Sequence, residues 1–172
     1  MTIYFYKVNE PYGCFSNFSP HGIELQGMNW PTVEHYYQAQ KFVGTADAAL
    51  IPVIHAVQTP DQAAALGRDR TRKVRPDWAG VKTQVMQIAV LKKFLTHTDI
   101  QAILISTGDQ LLVENSQTDY YWGCGRDKTG QNHLGKIIMN VRQEIRQQCS
   151  KGAATLKPWS VISDQISPGG PY

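Results

Sequence analysis

Asp77-Trp78-Ala79-Gly80-Val81-Lys82-Thr83-Gln84-Val85-Met86-Gln87-Ile88-Ala89-Val90-Leu91-Lys92-Lys93-Phe94-Leu95-Thr96-His97 carries a helical period over its whole length. Val81, Val85, Ile88, Leu91 and Leu95 recur at three- and four-residue spacing, which lays one apolar stripe along a helix over 77–97. Such a stripe needs other apolar faces to bury it, and the flanking sequence supplies them. Thr98 and Gln101 repeat a capping-box pattern and start a further helix that Gly108 closes, and Leu134, Ile137, Ile138, Val141 and Ile145 form the stripe of a last one. Upstream, Thr59-Pro60-Asp61-Gln62 sets cap, first-turn proline and capping-box glutamine in order, so a helix over 60–66 ends at Gly67. A short helix around 46–55, interrupted by Pro52, and one opened by Pro31-Thr32 and running to about Val43 complete the set. Strands are few: 2–7, 23–26 and 111–114. They do not alternate with helices in the βαβ manner. The expected fold is therefore mainly α, an α+β domain with a few short strands, and a doubly wound nucleotide fold is disfavoured.

The chain has 172 residues, 42% hydrophobic and 18% charged, which suits one self-sufficient globular core. The domain is expected over 1–149, with a Gly-, Pro- and Ser-rich tail over 150–172 that Trp159 could pin. No apolar run reaches the length of about 18 residues that a membrane span needs, and Met1–Lys7 lacks the layout of a secretory signal. Cys14, Cys124 and Cys149 are far apart, with no CxxC pair and no His at zinc spacing, and read as reduced thiols of a cytoplasmic protein. Net charge is +3, but 68–75 holds five basic residues against Asp69 alone, so this cluster contributes +4 and the rest of the chain −1. A local cluster suits one anionic group or a short backbone stretch better than nonspecific coating of nucleic acid.

Three constellations could carry chemistry. In the helix after Trp30-Pro31, Glu34, Gln38 and Lys41 share one face, since i, i+4 and i+7 lie within roughly 40° of one another. That pattern is either a solvated stripe or a wall from which a carboxylate and an amine address one small ligand; His35 sits beside it. The second is the loop 115–132, long and punctuated by glycines, with Tyr120, Tyr121 and Trp122 as an apolar wall. Its glycines and the helix that follows offer backbone N–H groups for a phosphate, with Arg126 and Lys128 adding charge, though neither nucleotide fingerprint is matched. The third is Phe15-Ser16-Asn17-Phe18, two small hydrogen-bonding side chains between aromatics, read as a turn or as a binding pair.

These residues, with Trp30–Phe42, Gly67-Arg68-Asp69-Arg70, Tyr121-Trp122-Gly123 and Gly130-Gln131-Asn132-His133-Leu134-Gly135, resemble the NADAR superfamily and its YbiA-like branch over about 3–146. The resemblance implies a compact, mainly helical domain that cleaves the N-glycosidic bond of ribosylamino-pyrimidine 5′-phosphates of early riboflavin biosynthesis, releasing ribose 5-phosphate. Other branches remove ADP-ribose from modified guanine in nucleic acid, which is the alternative; a silent module binding a phosphorylated ribose is the third reading. Carried over by position, the acid and lysine fall on Glu34 and Lys41, the arginine motif on Arg68 and Arg70, and the Trp-Gly loop on Asp119, Trp122 and Gly123. Cys124 departs from the pattern. The implied catalytic set is Glu34, Lys41 and Asp119, and the substrate-binding set is Ser16, Asn17, Trp30, Arg68, Arg70, Trp122, Gly123 and Asn132. Trp122 or Trp30 would stack on the base. The expected partner is a small phosphorylated ribosyl compound, with no membrane, metal or organic cofactor in the scheme.

Overall fold

A computed structural model describes residues 1–150. The expected tail and Trp159 lie outside the described residues, apart from Ser150, which ends the last helix. Four short strands and six α-helices follow in the order β1 (Thr2–Phe5), β2 (Ile23–Leu25), β3 (Met28–Trp30), α1 (Val33–Ala39), α2 (Leu50–Ala56), α3 (Pro60–Gly67), α4 (Trp78–Thr96), α5 (Thr98–Ser106), β4 (Leu111–Glu114) and α6 (His133–Ser150). The mainly helical reading holds. Two points were not legible: β1 and β4 pair in parallel, Thr2 opposite Leu111 through Phe5 opposite Glu114, and β2 turns back on β3. The hairpin turns on Gln26 and Gly27, both at positive φ, as a two-residue connection requires.

Local chemistry explains most element ends. The capping box of α3 is complete, Thr59 accepting from Gln62 N and Gln62 accepting from Thr59 N, with Pro60 in the first turn. Pro52 does not break α2, because it falls in the first turn where its missing N–H is not needed. The helix expected to reach Val43 instead stops at Ala39 and tightens into a 3-10 turn over Gln40–Phe42. At α5 the expected capping box is absent: His97 precedes the helix without a side-chain cap, and Gln101 donates to Phe94 O instead.

Helix α4 is the beam of the core. It packs on α1 and α6, so its buried face is broader than one stripe: Met86, Ala89, Val90 and Phe94 are buried beside Val85, Ile88 and Leu91, while Leu95 stays exposed. Helix α1 packs against α2, α3 and α4, and every one of its seven residues is buried. Lys93 is buried too, its ammonium donating to Ser16 O at 2.9 Å and burial pushing its pKa down to about 7. The three cysteines are free, and no helix among the described residues is long and apolar enough to cross a membrane.

Candidate active site

A cleft of about 170 Å³ opens where α1, α3, α4, the end of β4, the 16–18 segment and the 115–132 loop meet. Its lining includes Ser16, Asn17, Glu34, Gln38, Lys41, Arg68, Asp119 and Trp122, all from the three constellations and the basic cluster; Tyr37 and Glu114 also line it.

Helix α1 is positioned from both ends. Thr32 caps it, accepting from His35 N, and lies 2.8 Å from His35 Nδ1; the other ring nitrogen of His35 meets Val57 O at 3.1 Å. His35 is thus a buried strut between α1 and the residue after α2, and is not part of the cleft lining. The solvated-stripe reading of α1 is corrected by burial: Glu34 and Gln38 meet the cleft rather than open water. Glu34 N donates to Asn17 O, tying the helix start to the 16–18 segment. Gln38 Nε2 donates to Glu34 Oε1 at 2.6 Å. Gly67 is required here, since a Cβ on it would run into the Gln38 amide. Lys41 follows in the 3-10 turn, where its Nζ donates to Gly67 O at 2.7 Å.

Electrostatics sets these groups apart from surface residues. Burial raises the Glu34 carboxyl above its ordinary range; Gln38, Arg68 and Lys41 oppose that rise and Asp119 reinforces it. Burial also depresses Lys41, to about 8, with Glu34 opposing and the Arg68 and Lys82 charges adding to the fall. Glu114, which the sequence reading passed over as a strand residue, is pushed up to about 8 by burial and by the neighbouring Asp119 and Glu34 carboxylates. The only signal for it was a carboxylate at the end of an apolar strand. Tyr37 is raised as well, chiefly by burial.

The loop wall works differently. Asp119 Oδ1 accepts from Tyr121 N at 2.8 Å and Trp122 N at 2.7 Å, and Asp119 N donates to Ser116 Oγ. Trp122 packs edge-on against Tyr37, ring centroids 5.5 Å apart. The amides from Gly130 into the start of α6 are engaged: Gly130, Gln131, Asn132, His133 and Leu134 donate to the carbonyls of Cys124, Tyr120, Gly123, Tyr121 and Trp122. Arg126 is exposed and Lys128 lies over the Tyr4 ring. The phosphate cradle is corrected at Gly130 and the start of α6, whose amides are taken; Gly123 and Gly130 are present because the chain crosses itself there too closely for a Cβ.

Four of the expected substrate-binding residues do not line the cleft. Trp30 is in the core, 2% exposed, its Nε1 donating to Leu25 O and its ring edge-on to Tyr36 and His55, so it has no face left for a base. Arg70 is exposed on the surface. Gly123 is buried scaffold. Asn132 clamps β4, its Oδ1 accepting from Glu114 N at 3.0 Å and its Nδ2 donating to Leu112 O at 2.9 Å.

Residues 4–146 match the model of the NADAR domain family. An N-glycosidase of Nostoc punctiforme is 69% identical over 150 residues, 87% of this chain and 96% of that protein. N-glycosidase YbiA of Escherichia coli is 42% identical over 143 residues, 83% of this chain and 88% of that protein. The chloroplastic riboflavin biosynthesis protein PYRR of Zea mays is 43% identical over 155 residues, 83% of this chain and 25% of that protein. The NMR structure of E. coli YbiA superposes with a TM-score of 0.79 at 38% identity, covering 92% of this chain and 93% of that one. The chain belongs to the NADAR family. Its close relatives of matching length are N-glycosidases, and it is an enzyme of that class.

Proposed function

We propose that this enzyme hydrolyses the N-glycosidic bond of ribosylamino-pyrimidine 5′-phosphates, intermediates of riboflavin biosynthesis, and releases ribose 5-phosphate. One observation carries the reading: a single cleft gathers the buried carboxyl of Glu34, the half-buried amine of Lys41, Asp119 and the Arg68 guanidinium. The likeness to a protein named for riboflavin biosynthesis supports the substrate class.

Breaking an exocyclic N-riboside requires a proton on the leaving nitrogen and electron density at the anomeric carbon. Glu34, held towards its neutral form by burial, supplies the proton. Asp119 has one carboxylate oxygen committed to two backbone amides and uses the other to support an oxocarbenium-like sugar and steer water. Lys41 offers a second route. After ring opening, its neutral amine adds to C1 of the imine and expels the pyrimidine amine; water then cleaves the lysine imine, freeing the sugar aldehyde and regenerating the amine. With a pKa of about 8, roughly a tenth of the amine is neutral at pH 7. Arg68 meets the 5′-phosphate and Trp122 flanks the base.

A small substrate is also supported by the basic cluster. Arg72 pairs with Asp47 and Asp69, and Arg75 with Asp77, which takes two of its five cations out of any nucleic-acid track. The test is incubation with a ribosylamino-pyrimidine 5′-phosphate and, separately, with ADP-ribosylated guanosine, following released sugar phosphate by mass spectrometry. Release from the first alone is expected. Release from the second alone would replace this reading with an ADP-ribosyl hydrolase.

A further inference from the structure

Two residues of the cleft lining each hold a buried side-chain oxygen that has no hydrogen-bond partner among the described residues: Oδ1 of Asn17 and Oε2 of Glu114. Gln38 Oε1 is also unpartnered, but it is turned against Gly67. Neither of the first two belongs to a loose segment. Asn17 O accepts from Glu34 N, and the carbonyl just before it takes the Lys93 ammonium. Glu114 ends β4 with its N–H on Asn132 Oδ1 and its carbonyl accepting from Cys124 N. A close crossing at Gly123 fixes the same carbonyl, because a Cβ there would lie 2.9 Å from it. Buried oxygens without a partner are rare in proteins, since each forfeits its hydration and recovers nothing until one arrives; Asn17 Oδ1 accepts, and the Glu114 carboxyl, held towards its neutral form by burial, still keeps an accepting oxygen.

The chemistry of the substrate says which donors can arrive. The anomeric carbon must lie by Glu34, Lys41 and Asp119, which share this cleft with Asn17 and Glu114. Hydroxyls on C2 and C3 are the donors next to that carbon; the amino groups of the base lie beyond the breaking bond, and an ionised phosphate brings acceptors. We infer that Asn17 and Glu114 form a hydroxyl-reading pair that makes the enzyme selective for ribosyl over 2-deoxyribosyl substrates. This rests on the function proposed above for the place of the sugar. The selectivity runs against intrinsic reactivity, because loss of the electron-withdrawing 2-hydroxyl eases formation of an oxocarbenium ion; a ribosyl preference therefore reports the site. Hydrogen bonds to the 2-hydroxyl also strengthen as charge develops on the sugar, so the effect falls on turnover as well as binding.

The test compares kcat/KM for a ribosylamino-pyrimidine 5′-phosphate and its 2-deoxyribosyl analogue, alongside calorimetric binding of ribose 5-phosphate and 2-deoxyribose 5-phosphate. Wild-type enzyme is expected to favour the ribosyl substrate at least about 100-fold and to bind ribose 5-phosphate at least about 10-fold more tightly. Glu114→Ala and Asn17→Ala each lower ribosyl kcat/KM at least about 10-fold and change the deoxyribosyl value by less than about 3-fold, whereas Glu114→Gln, which keeps an acceptor, retains the preference. Thermal melts establish that each variant is folded. A wild-type enzyme that treats the two sugars alike in both measurements overturns the inference whatever the variants do, as do variants that depress both substrates equally. Turnover without sugar discrimination leaves the proposed function standing and removes this pair. Discrimination in binding with no turnover of either compound removes the proposed substrate and keeps the pair; binding of neither sugar phosphate together with turnover of neither compound removes both.

Discussion

Helix α1 and the 115–132 loop both line the cleft, and they are satisfied in opposite ways. The helix satisfies its backbone within its own turns, at the Thr32 cap and on Asn17 O, which leaves the Glu34 and Gln38 side chains to face the cleft in surroundings that shift a carboxyl upward. The loop has no ladder. Its amides are satisfied one at a time, by the Asp119 carboxylate and by carbonyls within the loop itself. What differs is where the unsatisfied capacity remains: at side chains on the helix, and not at the amides of 130–134 that lead into α6. Amides already engaged from Gly130 to Leu134 cannot also hold an anion, which agrees with the phosphate role proposed for Arg68 in the cleft lining.

The helix wall is broken most severely at its acid. Glu34→Gln keeps shape and the contact with Gln38 but cannot donate a proton, and is expected to lower kcat by about 1000-fold with ligand affinity retained, as rapid-quench and calorimetric measurements together would reveal. Lys41→Met is expected to cost about 100-fold in turnover. In wild-type enzyme, borohydride should trap a sugar on Lys41 with a yield that climbs through about pH 8, because the neutral amine appears as pH rises past its lowered pKa. An unmodified lysine under turnover conditions would leave the two-carboxylate route. On the loop wall, Asp119→Ala removes an acceptor from two amides. It is expected to cost about 1.5–3 kcal/mol of stability besides its catalytic loss, read as a lowered melting temperature. Gly130→Ala sharpens the contrast: its new Cβ meets the backbone of Gly123 and Cys124, which cannot move aside cheaply, and a loss of about 1–3 kcal/mol is expected with little change in kcat of the folded enzyme. The smallest effects separate two neighbours. Arg68→Ala should raise KM about 10-fold, and Arg70→Ala should leave it within about 2-fold.

Much of the helical framework was legible because it is written locally. The α3 cap, the α4 and α6 periods and the face shared by Glu34, Gln38 and Lys41 are all set within a few residues. Burial was not legible in the same way. Period alone could not tell that α1 is enclosed by three other helices, nor that Leu95 would be left outside. Trp30 looked available because aromatic rings serve equally well in a core and on a ligand, and only the positions of Tyr36 and His55 decide between them. Counting glycines in the 115–132 loop could not reveal that they permit a close self-crossing rather than an open cradle. Glu114 was missed for a related reason: its role comes from β1 pairing with β4 across more than a hundred residues of sequence, and nothing near it in the chain says so.

That pairing sets the order in which a nascent chain can mature. Thr2–Phe5 is synthesised long before its partner and must wait for Leu111–Glu114 to find its register, and the clamp from Asn132 that fixes Glu114 arrives later still. Helices α1 to α4 can form while synthesis continues, yet the cleft closes only once the chain has emerged beyond Asn132. A product truncated before that point would carry Glu34 and Lys41 without the frame that perturbs them, and should be inert towards sugar phosphates.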